Sequence, residues 1–310
     1  EGDNWILKGV AFEKAPYGKH VIVSDIDHPA IKESAAWLKT QGFEVDYAPV
    51  DARGFVKVDA LASLLRPDTT LVSVMAVNNE IGSIQPIHDI AALLEDRPTI
   101  SFHVDAVQAL AKVATEVYLP ERVDFATFSS HKFHGLRGVG FVYIKEGKKI
   151  TPLLTGGGQE KEMRSTTENV AGIAATAKAL RLAMENQEAF ASKTQQMKEV
   201  IRKELANYPD VTIFSGEDHF APHILTFGIK GVRGEVVVHA FEEFDIYIST
   251  TSACSSKAGK PAGTLIAMGV DKSIAQTAVR LSLDLENDMS QVEQFLTKFK
   301  LIYEQTRKVR

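Results

Sequence analysis

At 310 residues, 45% of them hydrophobic and 24% charged, the chain is long enough for one large core or two domains and has the composition of a folded globular protein. No apolar run approaches the ~20 residues that cross a bilayer as a helix, and a net charge of −5 offers no broad basic face, so neither a membrane span nor nucleic-acid binding is expected. Cys254 is the single cysteine, which excludes a disulfide framework within the chain and points to a reducing cytoplasm.

The chain begins on Glu1 rather than Met, already in the rhythm of a helix over residues 4–12, with Trp5, Ile6 and Val10 at helical spacing behind Glu1 and Asp3. A segment upstream of Glu1 is therefore expected. Residues 20–24 read as a strand, 30–41 as a helix stopped by Gly42, 43–48 as a strand and 58–65 as a helix. The continuous apolar run 70–77 is a strand of the kind buried on both faces of a parallel sheet, and helix 87–94 and strand 99–104 continue the alternation. That βαβα order argues for a largely parallel sheet covered by helices. Two more short strands, 123–128 and 140–144, flank a stretch broken by Gly135, Gly138 and Gly140. Past Gly156-Gly157-Gly158, one long helix is expected over 170–205, then a smaller α+β domain with strands at 211–214 and 223–227 and helices at 234–243, 273–277 and 291–303. The division expected is a large domain over residues 1–187 and a small one over 188–310 that carries the loop of Cys254.

Lys132 sits just past the end of strand 123–128, with Ser129, Ser130 and His131 before it. Ligands of open α/β sheets bind beyond the carboxyl ends of the strands, and an amine held there in an apolar setting has its pKa lowered, which suits a Schiff-base nucleophile. A solvated loop lysine is the plainer alternative. In His103-Val-Asp105-Ala-Val-Gln108 a strand closes and a helix is expected to open, with Asp105 at the strand end and Gln108 one turn on. Asp105 is also what a helix N-cap looks like. Beside a strand-end lysine it gains a second meaning: pyridoxal phosphate enzymes need a carboxylate on the pyridine nitrogen and a lysine on the aldehyde, and Asp105 and Lys132 can supply both.

Seven motifs, in order, carry a resemblance: Ser-Asp-Ile-Asp-His28; Ala-Val-Asn-Asn79-Glu-Ile-Gly; His-Val-Asp105-Ala-Val-Gln108; Ser129-Ser-His-Lys132; Gly-Gly-Gly-Gln-Glu followed by Arg164-Ser-Thr-Thr167-Glu-Asn; Ser-Ala-Cys254-Ser-Ser; and Val-Arg280-Leu-Ser. Over nearly its whole length the chain resembles the cysteine desulfurases of the NifS and IscS branch. The resemblance implies the fold type I architecture of pyridoxal-phosphate-dependent transferases, with a mainly parallel large domain and a smaller α+β domain. It also implies a homodimer, pyridoxal 5′-phosphate as cofactor, L-cysteine as substrate, alanine as product, and a persulfide passed to sulfur-acceptor proteins in iron–sulfur cluster assembly or tRNA thiolation.

By the same resemblance Lys132 is the Schiff-base lysine, Asp105 the partner of the pyridine nitrogen, Gln108 a bond to the ring oxygen and His28 a stacking ring that assists proton transfer. Ser129 and His131 would hold the phosphate, and Thr167 would reach that of the neighbouring subunit. Asn79 and Arg280 would grip the substrate carboxylate, and Cys254, in a polar loop without apolar periodicity, would be the sulfur acceptor. Each residue type has an ordinary structural role as well: His28 as a cap, the serines and threonine as turn formers, Arg280 as a surface ion pair. The chain departs from the family pattern at Thr166, where a glycine is usual, and at Thr250-Thr251, where a serine-glycine pair is common, and the family's first strand and Gly-Ala-Thr turn would precede Glu1. Rival readings of the same residues are a selenocysteine lyase, a transaminase, or an inactive scaffold for sulfur acceptors.

Overall fold

The structure, a computed structural model, describes residues 1–251 and 263–309. The chain separates into two compact units, one of residues 1–50, 56–77 and 85–187, the other of residues 51–55, 78–84 and 188–310.

The first unit runs α1 (Gly2–Lys14), β1 (His20–Ser24), α2 (Pro29–Thr40), β2 (Glu44–Ala48), α3 (Val58–Leu64), β3 (Thr69–Met75), α4 (Ile87–Leu93), β4 (Ser101–Asp105), α5 (Thr115–Tyr118), β5 (Phe125–Ser129), a 3₁₀ turn (Ser130–Phe133), β6 (Gly140–Ile144) and α6 (Val170–Glu185). Its sheet has the order β2-β1-β3-β4-β5-β6; the first five strands are parallel, and β6 runs antiparallel to β5. The order steps from β1 to β2 on one side and to β3 on the other, so the strand direction of travel reverses there, the place where open α/β sheets bind ligands at their carboxyl edge. Every residue of β1, β3 and β4 is buried, which is why their apolar residues do not alternate with exposed polar ones. On one face α1 and α2 bury Trp5, Ile6, Val10, Ile31 and Leu38 against Val21, Val23, Leu71 and Phe125. Each such fully buried side chain contributes roughly 1.5–3 kcal/mol.

The second unit begins with α7 (Gln187–Leu205), most of which belongs to it, and continues with β7 (Val211–Ile213), β8 (Ile224–Ile229), α8 (Gly234–Glu242), β9 (Ser249–Thr250), α9 (Gly263–Ala267), α10 (Lys272–Ala275), β10 (Ala278–Ser282) and α11 (Met289–Val309). Its sheet, β7-β8-β10-β9, is antiparallel throughout. Leu225, Phe227, Ile229 and Val279 pack beneath Met197 and Ile201 of α7, Phe241 of α8, and Phe295 and Phe299 of α11.

Several elements differ from the sequence expectation, and α5, β9 and α9 have no counterpart in it. The helix expected over 170–205 is two helices, because Asn186 leaves helical geometry at φ −106°, ψ 7°, and its side chain amide bonds back to the Leu182 carbonyl. No α-helix opens after Asp105: residues 106–113 form successive turns that include a left-handed Ala111 at φ 60°, and Gln108 is therefore not one helical turn on. The stretch around Arg280, unassigned from the sequence, is β10, whose short VRLS pattern becomes a strand only through its pairing with β8.

Candidate active site

Strand β5 is buried as far as Phe128 and delivers the chain into the 3₁₀ turn that carries Lys132. Ser130 and Phe133 are buried on either side of the half-buried Lys132 and pin the turn. Ser130 Oγ accepts a hydrogen bond from Thr176 Oγ1 of α6 at 2.9 Å. The turn closes on His134 in the left-handed region, and a Cβ at Gly135 would lie 1.8 Å from Ser130 Oγ, so only glycine fits there.

Asp105 ends β4 and is buried, one carboxylate oxygen accepting the Val107 N–H at 3.0 Å. Burial holds it well above the usual carboxylate range, reinforced by the charges of Asp3 and Asp27 and opposed by the Val107 N–H and Lys132. His28 follows β1 and caps α2: its Nδ1 accepts the Ala30 N–H at 3.1 Å, which leaves the ring hydrogen on Nε2 in the neutral imidazole. Burial chiefly, and the charge of Lys132, push its pKa down, so the ring stays neutral near pH 7. Lys132, Asp105 and His28 thus share one field at the carboxyl edge of the sheet.

Ser129 Oγ and His131 Nδ1 are 2.9 Å apart, and His131 is pushed down by partial burial and by the surrounding cations Lys132, Arg137 and Lys112. That gathering of cations around two hydrogen-bonding side chains suits a phosphate dianion. Gln108 accepts from Lys112 Nζ at 3.4 Å. Thr167 lies exposed in the irregular segment before α6.

Within the second unit Arg280, half-buried on β10, donates from Nη1 to the Asn79 carbonyl at 2.7 Å, so the two residues expected to act together do meet. Asn79 sits in a turn held by its neighbour Asn78, whose side chain oxygen accepts the N–H groups of Glu80 and Ile81. Cys254 lies outside the described residues.

The sequence reading passed over Asp3, Asp27, Ser73, His103 and Thr127. Asp27 accepts the backbone N–H groups of Ser24 and Met75, both at 2.8 Å, and so ties the ends of β1 and β3 together; burial pushes it up to about 8. His103 is buried and pushed down to about 4 by burial. Its position two residues before Asp105 on a strand, hence on the same face, was the available signal.

A buried carboxylate at a strand end is costly unless a cation shares its charge, and a protonated pyridine nitrogen is such a partner. With a strand-end lysine and a cationic phosphate cradle beside it, these residues fit pyridoxal phosphate.

The comparisons with known proteins agree. The pattern of the family Aminotransferase class-V matches residues 1–295. The chain is 48% identical over 310 residues to a NifS/IcsS protein homolog of Lactobacillus delbrueckii subsp. bulgaricus, spanning all of this chain and 80% of that protein. It is 38% identical over 312 residues to the cysteine desulfurase IscS of Clostridium botulinum, of which it spans 78%. A solved NifS-like protein, 38% identical, superposes with a TM-score of 0.90 over 98% of this chain and 80% of that one. With matches of this identity over its full length, the chain belongs to the class-V aminotransferase family, of fold type I and dependent on pyridoxal phosphate, and within it to the NifS/IscS cysteine desulfurase group.

Proposed function

We propose that this protein converts L-cysteine to L-alanine and collects the sulfur as a persulfide on Cys254 for delivery to sulfur-acceptor proteins. The observation that carries the reading is the placement of Lys132, buried Asp105 and neutral His28 at strand ends along the carboxyl edge of the parallel sheet. Pyridoxal phosphate, when bound, supplies an aldehyde that captures the substrate amine and a ring that takes up electrons. Asp105 holds the positive ring nitrogen and Gln108 the ring oxygen. His28 covers the ring with its Nε2–H available for proton transfer. Ser129 and His131 hold the phosphate, joined by Thr167 from a second copy. Lys132 holds the aldehyde before substrate arrives and then carries the proton from the substrate Cα. The fork of Arg280, with Asn79, grips the substrate carboxylate.

The Cys254 thiolate then bonds to the substrate sulfur as the carbon–sulfur bond breaks. The electron pair stays on carbon, which later takes a proton to give alanine. A thiol of ordinary pKa is only a few per cent thiolate at pH 7, and Lys257 or Lys260, close by in sequence, would enlarge that fraction. A homodimer is supported by the apolar side chains that the first unit leaves exposed: Val170, Ile173, Leu182 and Met184 on α6, Leu153 and Leu154 before it, and Tyr143 on the edge strand. A cytoplasmic location rests on the single cysteine, and iron–sulfur assembly and tRNA thiolation are the processes such a persulfide would feed. Among the described residues no helix is long and apolar enough to cross a membrane.

The test is Cys254→Ser incubated with labelled L-cysteine. The variant is expected to keep its cofactor absorbance and to show no protein-bound sulfur by intact mass, whereas the unaltered protein gains it and releases alanine. Protein-bound label on the variant would move the acceptor elsewhere.

A further inference from the structure

Beneath Asp105 lies a row of side chains with no role in gripping cysteine or receiving sulfur. His103 and Asp105 share one face of β4, and in the parallel register Ser73 of β3 lies beside His103 while Thr127 of β5 lies beside Asp105. Helix α1 packs on this face and brings Asp3 in its first turn to Thr127, whose Oγ1 is 2.5 Å from Asp3 Oδ1.

The direction of each hydrogen follows from donor chemistry. A carboxylate only accepts, so Thr127 gives its single hydrogen to Asp3. Thr127 Oγ1 then has only lone pairs for His103 Nε2 at 3.3 Å, so Nε2 carries the ring hydrogen and Nδ1 accepts from Ser73 Oγ at 2.9 Å. All three hydrogens point toward Asp3. The arrangement requires a neutral His103, and burial makes it neutral at pH 7. Asp3 Oδ1 lies 3.9 Å from His103 Nε2, too far for a good bond, so Thr127 is what holds it.

The other charged or titratable groups facing this point are Lys132 on the 3₁₀ turn, the neutral His28 at the cap of α2, and Asp27 after β1. Asp27 is committed to two backbone N–H groups that join strand ends. Asp3 is bound through one oxygen to a hydroxyl, and its charge is the largest external influence on Asp105 after burial.

We propose that Asp3, held by Thr127, whose hydroxyl His103 orients, is a positioning residue that keeps a proton on the hydrogen bond between Asp105 and the cofactor's ring nitrogen. This rests on the pyridoxal phosphate reading. A negative charge behind a buried acid–base pair makes its shared proton harder to remove, and so keeps the ring electron-poor over a wider pH range.

The test is ¹⁵N NMR of the holoenzyme loaded with ring-¹⁵N pyridoxal phosphate, titrated with base. Asp3→Asn is expected to lower the pH at which the ring nitrogen loses its proton by about one unit, the scale of one nearby charge. Thr127→Val, which releases Asp3, should move the midpoint the same way, and Thr127→Ser, which keeps the hydroxyl, should leave it in place. An unchanged midpoint in Asp3→Asn overturns the inference while the cofactor reading stands. If Asp3→Asn does not fold, equal midpoints in Thr127→Val and Thr127→Ser overturn it instead. An unaltered protein that takes up no pyridoxal phosphate overturns both.

Discussion

Lys132 owes its place to neighbours that are not catalytic. The 3₁₀ turn is pinned by buried Ser130 and Phe133, closed by left-handed His134 and admitted by Gly135. Replacing Lys132 with Ala removes only the end of a half-buried side chain, so the fold should survive. Alanine formation from cysteine should fall by at least a factor of about 10³, the scale of lost general acid–base catalysis, and the visible absorbance of bound cofactor should shift. Retained turnover in that variant would refute the assignment. Arg280 offers a second test at this scale. Lysine at 280 keeps the charge but loses the two-pronged grip, so KM for cysteine should rise by an amount worth roughly 1–3 kcal/mol, with a smaller change in kcat. An unchanged KM would place the carboxylate elsewhere.

Helix α6 shows how an element reaches the site without contributing a functional side chain. Only Gly172 and Thr176 of it are buried, so its own apolar contacts hold it weakly. It is fixed instead by Asn169, whose side chain oxygen accepts the Gly172 N–H at 3.0 Å, and by the Thr176 bond to Ser130. Asn169→Ala should cost about 1 kcal/mol, the usual value of an N-cap, read from chemical denaturation. Because Thr176 bonds to the turn of Lys132, hydrogen exchange at residues 130–133 should quicken in the same variant. An effect confined to α6 would show that the turn stands without it. Thr166, where the resemblance would have glycine, is not among the described residues with positive φ, so its side chain is accommodated without strain. Left-handed backbone falls instead on Glu160, Lys161 and Glu162, after the triple glycine.

For the molecule as a whole, pH should act on the second unit through Lys198. This lysine of α7 is buried, donates to the Ala221 carbonyl at 2.8 Å and lies 5.8 Å from the ring centroid of Phe220. Burial, with the nearby charge of Arg202, pushes it down to about 8. The unfolded lysine, near 10.4, binds its proton more tightly, so stability is reduced below pH 8 and recovers as the pH rises from about 8 toward 10. Lys198→Met should flatten that rise relative to the unaltered protein in urea denaturation at stepped pH. Parallel curves would show that Lys198 is charged in the folded state. What the sequence determined by itself is local: apolar runs become buried strands, periodic stretches become helices, and a strand end places Lys132, Asp105 and His28 at element termini, because burial and propensity act over a few residues at a time. The motifs at those termini were enough to point to the family. The tertiary structure alone decided which strand ends meet, through the order β2-β1-β3-β4-β5-β6, and that Asp3 of α1 comes to rest against Thr127, 124 positions away in the chain. It likewise decided that Arg280 binds a carbonyl 201 positions before it, across a strand that exists only by pairing. Long-range pairing is set by the sum of many burials, none of which is legible in any one stretch of residues.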